Sequence, residues 1–343
     1  MSRLIERGPL RPFRGTITGA DPFEVVEDGA ILIDDHVVVD FGPARRLIAA
    51  HPDVMVVPTD ALLSPGLVDV HCHFPQTRIT GTYGGGLLEW LENVTFPEEE
   101  RFEDPAYSKA VAREFFDQCE AVGTNEVTVF CTSHPNSVDA LFTEALDRTI
   151  KVTAGLVMMD RNAPSPLLTP AQDAYDDSLA LIERWHGAAG GRFTYAITPR
   201  FAPTSTPALL EAAGALWAAH PTCAMQTHLS ESEEEVAWVR RLFPHAKDYL
   251  AVYEKFGLVG PGAIFAHAIH LTDREVASLA EHKAVVAHCP TANRFLQSGT
   301  CDVSRLLAAG VTVKLGTDIG AGTTFDVMEV AAVAEGVPRR PLD

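Results

Sequence analysis

Leu62-Leu63-Ser64-Pro65-Gly66-Leu67-Val68-Asp69-Val70-His71-Cys72-His73 joins a turn-marked apolar run to a His-x-His pair. In an extended strand, residues two apart share a face, so His71 and His73 aim at one point. That point is a plausible metal site at the end of a strand. Two partly exposed histidines with no ligand are the competing reading, and the later histidines decide between them.

Outward from this stretch the pattern differs on its two sides. Residues 1–65 alternate apolar and polar positions between Gly, Pro and Asp pairs, which predicts antiparallel hairpins and a small β domain. From 66 to 343, short β-branched runs alternate with helical stretches, as βα units with a parallel sheet do. The runs fall at 66–71, 126–131, 151–158, 193–197, 223–227, 263–266, 284–287 and 311–315. Helices are predicted between them at 106–121, 137–147, 171–186, 207–219 and 273–282, several opened by Ser, Thr or Asp. Eight such repeats predict an α/β fold, a (β/α)8 TIM barrel with its chemistry at the C-terminal strand ends. A doubly wound open sheet is the alternative, but no Gly-x-Gly-x-x-Gly follows an early strand. The first βα connection, 74–104, is long enough to be a lid or binding loop.

Composition narrows the partners. The chain of 343 residues has a formal charge of −19 and no Lys/Arg cluster, which disfavours nucleic acid and anionic membranes. It has no apolar stretch of about 18 residues and no signal-peptide pattern, which predicts a cytoplasmic location. Six scattered cysteines without a CxxC pair read as reduced, mostly buried thiols.

The strand ends collect polar residues: His71 and His73 on the first, Arg200 and Phe201 on the fourth, His228 on the fifth, His267 on the sixth, His288 on the seventh and Asp318 on the eighth. His71, His73, His228 and Asp318 make a three-nitrogen, one-oxygen set with a position left for water, which suits zinc or iron(II). Glu231, three residues past His228, is too far along to share the strand's face, and general acid/base work suits it better. The fourth strand ends in Thr198-Pro199-Arg200-Phe201, without the Lys or Glu that bridges two metals, so one metal per chain is expected.

Taken together, these motifs make the chain resemble the amidohydrolase superfamily and, within it, the guanine deaminases. The resemblance is carried by PGLVDVHCHFPQ (65–76), YGGGLLEWLENVTFP (83–97), MDRNAP (159–164), TPRFAPTST (198–206), QTHLSE (226–231), AHAIHL (266–271), AHCPTAN (287–293) and LGTDIGAGT (315–323). It implies metal ligands His71, His73, His228 and Asp318, and Glu231 as proton shuttle. It further implies His267 and Asp318 in support of the water and the tetrahedral centre, and Gln76, Arg200 and Phe201 around a purine. The implied activity is hydrolytic deamination of guanine to xanthine and ammonia with one Zn2+, or Fe2+, in a cytoplasmic homodimer. Arg200 supports the substrate independently, because a guanidinium offers only donors and guanine presents O6 and N7 as adjacent acceptors. Pairing of Arg200 with an acidic neighbour is the other reading of that residue. Ile269, Gln297 and Gly85-Gly86 depart from the family pattern. Proteins of this resemblance continue for many tens of residues past the eighth strand, which implies a truncated C-terminal part, an incomplete small β domain and low stability. A deaminase for another aminated heterocycle, or a catalytically impaired fragment, is the alternative function.

Overall fold

A computed structural model describes residues 3–11, 25–35 and 37–336. The chain separates into two units, 1–66 and 67–343. In the first, β1 (Arg3–Leu10), β2 (Val26–Asp34), β3 (Val37–Pro43) and β4 (Met55–Pro58) form one sheet in the order β3-β2-β1-β4. The pairs β1/β2 and β2/β3 are antiparallel, as the alternation predicts, but β4 runs parallel to β1. A parallel neighbour needs a crossover. The helix Ala44–Ala50 supplies it, burying Ala44 and Leu47 with Ile5, Ala30 and Leu32. The expectation of hairpins alone is corrected at this point.

The second unit is a nearly closed barrel. Its strands are β5 (Leu67–His73), β6 (Thr124–Phe130), β7 (Lys151–Gly155), the short β8 (Val157–Met158), β9 (Phe193–Pro199), β10 (Ala224–Leu229), β11 (Ala263–His267), β12 (Val285–His288) and β13 (Thr312–Leu315). All pairings along the path β5-β6-β7-β9-β10-β11-β12-β13 are parallel, with β8 added to β9. The eight runs read from the sequence are these strands, which makes the fold a (β/α)8 barrel. Val127, Val129, Val152, Ile197, Met225, Phe265 and Val286 from the strands are buried with Phe115, Phe116 and Cys119 of the helix Pro105–Ala121 in one continuous core. Each such large side chain contributes about 1.5–3 kcal/mol on burial. The helix starts are capped as the sequence indicates: Asp104 and Thr206 accept from backbone N–H groups, and Ser232 and Thr272 form capping boxes with Glu235 and Glu275.

Between the first and last strands the closure differs from a ladder. The Asp318 N–H donates to the His71 carbonyl at 2.8 Å and the His73 N–H to the Ile319 carbonyl at 2.6 Å. The buried Asp69 carboxylate accepts from the Thr317 N–H at 3.0 Å and from the Thr317 hydroxyl. The approach is close enough to demand glycine at 316, where a Cβ would lie 2.8 Å from the Cβ of His71. The 74–104 connection is built of short helical turns and packs Leu87, Trp90, Leu91 and Phe96 over the strand ends with Phe201 and Leu296. Among the described residues, no helix is long and apolar enough to cross a membrane. All six cysteines are buried and none is paired.

Candidate active site

The C-terminal ends of the strands bring the expected polar residues into one buried cluster. His71 and His73 are 1% and 2% exposed, on the inward face of β5 that period-two alternation predicts. His73 Nε2 lies 3.1 Å from His228 Nε2, His71 Nε2 lies 3.1 Å from Asp318 Oδ1, and His73 Nε2 lies 3.5 Å from the same oxygen. Donors bound tetrahedrally to one ion at about 2.05 Å stand about 3.3 Å apart, so these separations have the spacing of a shared ligand set. His71 Nε2 has no hydrogen-bond partner although it is buried. One ligand atom each from His71, His228, His267 and Asp318 also lie within 4.8 Å of one another, so this buried cluster could hold a metal ion.

Electrostatics favours the ligand-ready state. Burial, the largest effect, pushes the pKa values of His71, His73 and His228 well below the usual histidine range, which keeps the imidazoles neutral. His228 Nδ1 donates to the Arg200 carbonyl at 2.8 Å, which leaves Nε2 as the free lone pair facing the cluster. His267 lies beside it, with Nε2 3.3 Å from Glu231 Oε2 and 3.8 Å from Asp318 Oδ2. Burial raises the pKa values of both carboxyls; the Asp318 charge raises Glu231 further, while His267 and Arg200 oppose the rise at Asp318. His267 and Asp318 both have positive φ, 69° and 53°, which non-glycine residues seldom adopt. Such strain at strand ends is a common mark of functional sites.

A cavity of about 380 Å³, open mouth included, adjoins the cluster, lined by Gln76, Arg200, Phe201, Glu231, Trp90 and Leu296 among others. Arg200 Nη1 donates to Glu99 Oε2 at 2.6 Å, and Gln76 Nε2 to Glu99 Oε1 at 3.0 Å. The acidic neighbour considered for Arg200 therefore exists, and Arg200 lines the cavity as well. The segment that carries Arg200 and Phe201 is braced from behind by MDRNAP. Asp160 accepts from the Thr206 N–H at 2.7 Å, and the Arg161 Nε and Asn162 Nδ2 groups donate to the Pro203 carbonyl at 3.1 and 2.7 Å. His288 stands apart from the cluster and lines a separate cavity.

Three residues of the site escape the sequence reading. Glu99 sits in the run Glu98-Glu99-Glu100, where acidic side chains in a loop signal only solvation. Asn293 places Oδ1 2.9 Å from His267 Nδ1. The Ser298 hydroxyl donates to Glu231 Oε1 at 3.1 Å. Asn293 lies within the quoted AHCPTAN motif, which is the only signal that could have found it; a lone Ser298 carries none.

Comparison with known proteins agrees with this layout. The amidohydrolase family profile matches residues 62–340. A guanine deaminase of Escherichia coli (strain K12) is 44% identical over 312 residues, 90% of this chain and 71% of that protein. The crystal structure of guanine deaminase from Bradyrhizobium japonicum superposes with a TM-score of 0.94 at 36% identity, covering 98% of this chain and 74% of that one. The guanine deaminase from C. acetobutylicum with guanine bound in its active site gives a TM-score of 0.89 at 30% identity, over 96% of this chain and 78% of that one. Barrel, histidine cluster and relatives agree: the chain belongs to the amidohydrolase family, in the branch whose relatives are guanine deaminases.

Proposed function

We propose that this protein hydrolyses guanine to xanthine and ammonia with one zinc ion held by His71, His73, His228 and Asp318. The observation that carries the reading is that His73, His228 and Asp318 line one cavity with Glu231 and the donors Gln76 and Arg200, while His71 Nε2 reaches Asp318 Oδ1 at 3.1 Å from behind them. The likeness to a structure with guanine bound in its active site supports the substrate. Zinc in that set, or iron(II), would act as a Lewis acid that makes water a nucleophile near neutral pH.

The chain's own groups do the rest. Arg200 and Gln76 donate to the acceptor edge of the purine, and Phe201, 4% exposed, gives the ring an apolar wall. Glu231 takes a proton from the attacking water as its oxygen bonds to C2, and returns that proton to N3. His267 and Asp318 stabilise the tetrahedral carbon and pass the remaining hydroxyl proton to the amino nitrogen, so that the C2 carbonyl forms as the C2–N bond breaks and ammonia leaves. The pKa of Glu231, raised by burial, suits a group that must both accept and release a proton. Purified protein incubated with guanine, with ammonia, xanthine and bound metal measured together, tests the proposal. Ammonia release from a pterin or triazine but not from guanine would move the activity to another heterocycle.

A further inference from the structure

Glu99 is fully buried on the short helix Phe96–Glu100, and both of its oxygens are taken by residues that line the cavity. Its neighbour Glu98 turns elsewhere, to Arg101 and Tyr107. Gln76, which donates from Nε2 to Glu99, also accepts the Gly320 N–H on Oε1 at 3.1 Å. A carboxylate paired with arginine only accepts and a backbone N–H only donates, so one orientation of the Gln76 amide satisfies both. Gly320 has to be glycine for this contact, because a Cβ there would fall 2.6 Å from the Gln76 carbonyl oxygen. Arg200, 2% exposed, has no acceptor at all, and Glu99 balances its buried charge.

We propose that Glu99 is a specificity-determining positioning residue: by accepting from Arg200 and Gln76 together, it fixes a cavity wall that donates only. Such a wall takes rings with an oxo group beside a ring nitrogen acceptor and rejects rings with an amino group in place of the oxo group. The assignment rests on the guanine reading for the identity of the ring. With Gln at 99, the new amide can donate to Gln76, so that only the Gly320 N–H still holds the Gln76 amide in place; the turned amide becomes accessible, and the wall becomes mixed and tolerates an amino group.

The test compares guanine with 2,6-diaminopurine, which keeps the 2-amino group and replaces O6 by an amino group. The wild type should favour guanine, and Glu99→Gln should lower the ratio of the two kcat/KM values by on the order of tenfold. A merely structural role would depress both substrates alike, so an unchanged ratio overturns the proposal. Should Glu99→Gln not fold, Glu99→Asp, which keeps the charge but draws the carboxylate back, is judged by the same ratio. Binding of hypoxanthine and adenine to metal-free protein separates this inference from the functional reading. If the wild type releases no ammonia from guanine, that reading falls, and binding decides on Glu99. Hypoxanthine preferred by the wild type and not by Glu99→Gln sustains the assignment, and equal preference in both overturns it.

Discussion

Glu231 is held at both oxygens and lines the cavity: Oε1 accepts from Ser298, and Oε2 lies 3.3 Å from His267 Nε2. Glu231→Gln keeps the shape and the Ser298 contact but cannot carry a proton. We expect the variant to bind metal like the wild type and to turn over at least about a hundredfold more slowly. Near-normal turnover with metal bound would remove Glu231 from the chemistry. At this scale the sequence exposes what obeys a period or follows a strand end. His71 and His73 are legible because a strand repeats every two residues, and Arg200, His228, His267 and Asp318 because each ends a recognisable apolar run. Glu99 obeys neither rule. Its burial is set by Arg200, 101 residues away, and no local pattern records a partner at that distance.

Among the elements, the helix Glu233–Leu242 carries a second buried carboxyl. Glu235 accepts from the Glu231 and Ser232 N–H groups and from the Tyr249 hydroxyl, the last at 2.6 Å. Burial, and then the charge of Glu231, push its pKa up to about 7 from an ordinary 4.5. The folded state thus holds a proton that the unfolded chain releases. The resulting stability is fully present below about pH 4.5 and is lost as pH rises through 7. Glu235→Gln cannot ionise, and it should remove on the order of 3 kcal/mol of pH dependence across that window. Urea unfolding of both proteins between these limits measures it, and identical slopes would refute it. The barrel strands were readable because most are short, buried apolar runs that recur between longer helical stretches, although β13 is only partly buried. The helix Ala44–Ala50 was hidden because it is short and lies among strands, and the turns of 74–104 because pieces of three to six residues show no period.

For the whole molecule, the seam between β5 and β13 unites fold and site. His71 and Asp318 face each other across it, 3.1 Å apart, and their backbones exchange a hydrogen bond there. An ion shared by the two would tie the barrel shut, so bound metal stabilises the fold as well as the chemistry. The wild type should contain about one equivalent of zinc or iron, and His71→Ala should lose both metal and activity. Chelation should lower the Tm of the wild type and leave that of His71→Ala unchanged. Two equivalents per chain, both needed for activity, would end the single-ion reading.

The same seam has a history written into it. Thr317 and Asp69, which meet across it, are 248 residues apart, so β5 emerges from the ribosome with one flank that finds no neighbour until nearly all the other strands have been made. Contacts of such separation form late and slowly. In that interval Leu67–His73 is an open strand edge, and edges of that kind recruit strands from other chains. Its two imidazoles, two residues apart, are meanwhile uncovered. On the proposed ligand set, the nascent chain would present this pair before it has a pocket, and an ion captured early would be waiting for Asp318 when the last strand arrives.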